Sequence, residues 1–165
     1  MRRLVFAAAL VLGFSFLSFA ADPVTLFIIE NNRSVNSVHY DLQFDDQGSV
    51  NLKNPIDSHW ILGAKNNERS EITSLQKRAY GFDFKQNSQG EYILTLTAVR
   101  ERPMTIRNVN GAWRAQLLIN NKPAFLTKVF VNASGGFLGI PRVNSITLYG
   151  IDIVTGAAVE EIKIP

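Results

Sequence analysis

His39 and His59 are the only histidines in the chain, and each has an aspartate two residues away, Asp41 and Asp57. Residues two apart on a strand share a face. Each His–Asp pair therefore has the makings of a metal site, or of a general base oriented by a carboxylate. The turn over residues 45–49 sets the register: Phe44 opposite Val50 and Leu42 opposite Leu52 keep one apolar face continuous. Carried onward, this puts His39 opposite Pro55 and His59 opposite Val35, roughly 13 Å apart at the usual strand rise. On that register the two histidines share no metal unless the strand bends sharply at Pro55. Asp41 faces Lys53, and Asp57 lies diagonal to His39 within hydrogen-bond reach. His39 with Asp57 is thus the candidate acid–base pair, weighed against the plainer reading of surface ion pairs.

A second constellation is cationic. Asn110-Gly111 is a strong two-residue hairpin signal. It pairs Val109 with Ala112 and hence Arg107 directly with Arg114. Like charges directly opposite are destabilising, so a carboxylate, splaying into solvent or an anionic ligand held between two guanidinium forks must offset them. Arg107 and Arg114 are the candidate anion site. Arg100, Arg102 and Arg142 have no place fixed by this register. Trp60, Trp113, Tyr40 and Tyr80 suit the lining of a cavity, although strand aromatics more often fill a core.

Several chemistries are excluded. The chain has no cysteine, which removes disulfides, zinc–thiolate sites and cysteine nucleophiles. It carries no G-x-S-x-G elbow, phosphate loop, dinucleotide-binding glycine pattern or EF-hand pattern. Asn32-Arg33-Ser34 and Asn132-Ala133-Ser134 match glycosylation sequons and are expected bare.

The elements that must position these residues are strands. Met1-Arg2-Arg3, an apolar run from Leu4 to Leu17 and a small-x-small site at Ser18-Phe19-Ala20 form a secretory leader over residues 1–20. The remaining 21–165 is expected to be a single β domain in the periplasm or outside the cell, with no transmembrane span. Loss of Arg2 and Arg3 leaves one excess positive charge rather than three, which argues against nucleic acid as a partner. Alternating runs from Val24 to Ile164 predict an all-β, antiparallel barrel or two-sheet sandwich of about nine or ten strands. The stretch 54–82 interrupts them. There Thr73 and Gln76 form a capping box, Lys77 and Arg78 suit a helix C-terminus, and Gly81 is expected to stop one short helix with a positive φ. Beyond it, Lys85 is expected opposite Glu91. Residues 123–132 are apolar on both faces and fix no register. Residues 133–142 (ASGGFLGIPR) are read as a Gly-rich loop.

Residues 26–41 (LFIIENNRSVNSVHYD), 54–61 (NPIDSHWI), 75–82 (LQKRAYGF), 119–131 (INNKPAFLTKVFV) and 143–161 (VNSITLYGIDIVTGAAVEE) resemble a family of uncharacterised, mostly bacterial exported proteins, the domain of unknown function 4833. The resemblance implies a single exported domain and supplies no catalytic residue and no cofactor. Together the readings favour a non-catalytic envelope module that binds a small or anionic ligand or a protein partner. The alternatives are an enzyme with an unrecognised site, for which His39 and Asp57 are the candidates, and a structural protein working through sheet edges or the Gly-rich loop.

Overall fold

The computed structural model describes residues 22–135 and 142–165. Residues 1–21, which include the expected leader, and positions 136–141 of the expected Gly-rich loop lie outside the described residues. The strands are β1 (Val24–Asn31), β2 (Ser34–Leu42), β3 (Ile56–Leu62), β4 (Glu68–Glu71), β5 (Phe82–Gln86), β6 (Tyr92–Leu96), β7 (Met104–Val109), β8 (Ala112–Ile119), β9 (Lys122–Ser134), β10 (Arg142–Asp152) and β11 (Ala158–Lys163), with a four-residue helix α1 (Lys77–Tyr80) between β4 and β5. The all-β expectation holds. The eleven strands form one mixed sheet that does not close, in the order β4-β3-β2-β1-β9-β8-β7-β6-β5, with β10 and β11 off that path.

β9 is the hub. Along one edge it pairs first with β8, through Lys122–Phe125, and then with β1, through Lys128–Val131. Its other edge carries β10 throughout. The β1–β9 pairing is parallel, which corrects the expectation of a purely antiparallel sheet. Where the neighbour changes, Thr127 is left unpaired in a bulge: Leu126 faces Gly150, yet Lys128 faces Tyr149. One extra residue swaps the inward parity of a strand. Ala124 and Leu126 are buried before it, Val129 and Ala133 after it. That switch is why residues 123–132 read as apolar on both faces.

A second irregularity overturns the β2–β3 register. Phe44 does bridge Val50. Residues 51–54 then leave the ladder in a turn, because the Asn51 side chain accepts the amides of Lys53 (3.1 Å) and Asn54 (3.3 Å). Gln43 closes around them, its amide donating to the Pro55 carbonyl and its carbonyl accepting from Asn51, both at 2.9 Å. Pairing resumes at Leu42 with Ile56, and the leucine expected opposite Leu42 is 57% exposed. Every partner downstream moves by four residues.

The capping box forms, with Gln76 N–H donating to the Thr73 hydroxyl (3.3 Å) and Thr73 N–H to the Gln76 side chain (3.0 Å). Gly81, however, has an ordinary φ of −71°. It is required for space: a Cβ there would lie 2.2 Å from the Lys77 carbonyl oxygen. Between β5 and β6 the register is two residues off the expected one, with Phe84 opposite Leu94 and Lys85 opposite Ile93. Asn87 widens the turn by accepting the amides of Gln89 and Glu91. The β7–β8 hairpin is as expected, turning on Asn110 (φ 53°) and Gly111 (φ 84°).

Strands from both ends of the sheet share one core. Tyr40 on β2 stacks on Phe27 at 4.6 Å and meets Phe82 on β5 edge-on at 6.5 Å. Its hydroxyl donates to the Tyr80 carbonyl at 2.8 Å and so anchors the end of α1. Burial holds that hydroxyl well above the usual tyrosine range, so it remains a neutral donor.

Candidate functional site

Beyond the Thr127 bulge, β1, β9, β10 and β11 present rows of side chains on the inward face. One row runs Ile29, Val129, Leu148, Glu161, and the next Asn31, Val131, Ile146, Lys163. Ala133 and Val143 begin a third. Leu96, Met104, Leu117 and Tyr80 join this floor in lining a cavity of about 880 Å³. That is within the size range of small-molecule pockets, about 300–1,000 Å³. Of the aromatics expected to suit a cavity, Tyr80 lines it while Trp60, Trp113 and Tyr40 do not, so alternation alone did not reveal the cavity. Its signal was the doubly apolar β9, readable only if a bulge at Thr127 is assumed.

Charged groups gather at the cavity mouth: Arg33, Glu101, Arg102 and Lys163. They are not equivalent. Arg102 forks onto Glu161 at 2.7 and 3.0 Å and also donates to the Leu118 carbonyl at 3.2 Å. Glu161 accepts the Asn120 amide too, at 2.7 Å. The Arg102 guanidinium, then the Asn120 amide, hold the Glu161 carboxyl below the usual glutamate range. Lys163 stands 4.0 Å from the same carboxylate. Arg33 is different: among the described residues its guanidinium makes one hydrogen bond, a long one of 3.4 Å to the Ser134 carbonyl.

Arg33 is nevertheless well placed. Its amide donates to the Asn31 side chain at 2.9 Å. Asn32 pins the β1–β2 turn onto β9, donating to Asn132 at 3.1 Å and accepting the Ala133 amide at 2.8 Å. The two sequon asparagines are thus engaged with each other.

The opposite face of β1–β4 carries the histidines. The four-residue excursion at 51–54 sets His39 directly opposite His59, and Asp41 opposite Asp57. The expected 13 Å separation is therefore wrong: the imidazole centroids lie 5.7 Å apart. His39 does not face Pro55, and Asp41 does not face Lys53. Two aspartates directly opposite repel, and β4 supplies the remedy, which sequence reasoning missed. Arg69 forks onto Asp57 at 2.7 and 2.9 Å, reaches Glu71 at 3.2 Å, and lies 3.2 Å from His59 Nδ1. These carboxylates hold the Arg69 guanidinium above its usual pKa. Asp41 accepts the Thr25 hydroxyl at 2.7 Å.

Asp41, Asp57 and His59 offer donor atoms within 4.8 Å of one another, a spacing a metal could tighten. Arg69 opposes that use. A guanidinium only donates, so it fixes His59 Nδ1 as the acceptor and puts the proton on Nε2, the nitrogen facing Asp41 at 3.8 Å. Loading a metal there requires Arg69 to move. His39 Nε2 lies 3.1 Å from the Ser37 hydroxyl, a nucleophile–base pair in outline. Its third member is missing, since Asp41 is turned toward Thr25 and His59. Burial, with His59 nearby, lowers the His39 pKa against the pull of Asp41 and Glu30.

Arg107 and Arg114 are opposite each other, as expected. Glu91 pairs with Arg107, while among the described residues the Arg114 guanidinium bonds only the Trp113 carbonyl, at 3.2 Å. Among the described residues no carboxylate bridges the two. Glu91 therefore does not pair with Lys85, as expected from sequence, but with the arginine one strand further on.

The class this geometry defines is an open, mixed β-sheet wrapped about an apolar cavity. Among the described residues no helix is long and apolar enough to cross a membrane. The chain belongs to the family described as Domain of unknown function (DUF4833), which matches residues 27–162. No curated protein and no solved structure matches it.

Proposed function

We propose that the chain is a non-catalytic binding module, exported to the periplasm or beyond, that holds a small apolar or amphipathic molecule in the cavity between the two wings of its sheet. On this reading the unclosed sheet serves as an incomplete barrel around the ligand. The observation that carries it is the cavity itself, whose floor is the run of Val129, Val131, Ile146 and Leu148. A void of this size lined by aliphatic side chains forgoes the dispersion contacts of a filled core, and a ligand restores them. Arg107 and Arg114 remain a secondary anion position in this proposal, with Arg114 the cation lacking a carboxylate.

Native mass spectrometry of protein purified from its own cells tests the reading. A retained small molecule, lost when Val131→Trp fills the cavity, is the expected result. A clean apo mass, with no binding of any aliphatic probe, counts against it. An enzymatic alternative rests on the Ser37–His39 pair; His39→Ala should leave any ligand binding in the cavity unchanged, because the two lie on opposite faces of the sheet.

A further inference from the structure

We infer that the ligand is an aliphatic chain ending in a carboxylate, and that Arg33 recognises its head; this rests on the cavity-binding reading above. Of the three cations at the mouth, two are already committed. Arg102 is already forked onto Glu161 and is unavailable to a second carboxylate without leaving the first. Lys163 shares that same carboxylate at long range. Arg33 has no carboxylate within ion-pair distance among the described residues, and its single bond, to the Ser134 carbonyl, is long enough to exchange.

The turn that carries Arg33 is not loose. Asn31 accepts the Arg33 amide and Asn32 ties the turn to β9, so Arg33 is presented at the end of the aliphatic floor, where it lines the cavity with Ala133 and Val143. A planar fork of donors matches a carboxylate in two parallel bonds. Among the described residues the mouth sets three cations, Arg33, Arg102 and Lys163, against two carboxylates, Glu101 and Glu161, a small excess of positive charge that disfavours a cationic head. The apolar floor and this mouth together specify an amphiphile, chain inward and head at Arg33.

Binding of dodecanoate, dodecanol and dodecyltrimethylammonium, three probes with the same chain, is measured by titration calorimetry on the wild type, Arg33→Gln and Lys163→Gln. Dodecanoate should bind most tightly and the cationic probe least. Arg33→Gln, at an exposed turn, should weaken dodecanoate roughly tenfold, as loss of one charge-assisted pair does, and leave dodecanol unchanged. Lys163→Gln should have a smaller effect. Equal affinity for dodecanoate and dodecanol, or an equal loss of both in Arg33→Gln, overturns the assignment of the head while leaving cavity binding intact. If none of the three binds, the cavity reading fails and this inference with it.

Discussion

Replacing Glu161 by Gln keeps the shape of the residue that ties β11 to the rest of the molecule and removes its charge. Glu161 joins Arg102, before β7, to the β8–β9 turn at Asn120 and to its own strand. Its side chain and that of Arg102 are 17% and 22% exposed, between a surface pair and a buried one. Exposed pairs contribute about 0–1 kcal/mol, and hydrogen bonds to charged groups about 1.5–3. Solvent at the cavity mouth screens the pair, so about 1.5 kcal/mol is expected for Glu161→Gln at pH 7. The sign of its pH dependence follows from the depressed pKa. A carboxyl that ionises more readily in the fold than in the unfolded chain stabilises fully above the ordinary glutamate value, 4.5. That contribution is lost as pH falls from there through the folded value. Urea unfolding of wild type and variant at a series of pH values from 7 to 3 should give two curves that converge below about pH 4.5. A difference that is the same at pH 7 and pH 3, or that is absent at pH 7, refutes the view that the carboxylate acts through its charge.

Four further outcomes follow from the geometry. Leu42→Ala should cost about 2–5 kcal/mol as a core truncation, whereas Leu52→Ala should cost under about 0.5; comparable losses would restore the tight-hairpin register. Gly81→Ala should destabilise by about 1–3 kcal/mol, because its methyl meets a backbone oxygen that cannot retreat cheaply, while Gly135→Ala, where the space is open, should be near neutral; unfolding midpoints decide. Tyr40→Phe leaves the Tyr80 carbonyl without its donor and should cost about 1–2 kcal/mol, read by the same assay. The His39 ring should titrate below 6.5 by NMR; because protonation is disfavoured in the fold, stability should decline as pH falls below 6.5, and His39→Gln should flatten that slope.

Local signals were legible where one residue type decides the backbone. Asn110-Gly111 set the β7–β8 register, and Thr73 with Gln76 marked the turn that leads into α1, which itself begins at Lys77. The same hairpin register sets Met104, Ile106, Trp113, Ala115, Leu117 and Ile119 on one face; Met104, Ile106, Ala115 and Ile119 are buried and Trp113 and Leu117 half-buried. Registers failed where side chains of asparagine compete with the ladder. Asn51 looped out four residues and brought His39 against His59, and Asn87 widened the β5–β6 turn. Neither event changes the apolar pattern, so alternation alone is blind to both. The cavity was hidden for a related reason. Thr127 switches the parity of β9, and a pattern read with one fixed parity scatters Leu126 and Val129 onto different faces. The parallel β1–β9 pairing joins residues about a hundred positions apart, beyond the reach of any hairpin argument.

A ligand held as proposed lies against the aliphatic rows of β1, β9 and β10. Methyl NMR of the full chain, titrated with dodecanol, tests it most directly. Shifts concentrated on Ile29, Val129, Val131, Ile146 and Leu148, with the exposed Ile151 and Ile162 unmoved, are the predicted result. Shifts confined to those exposed methyls, or no shifts at saturating probe, would contradict it.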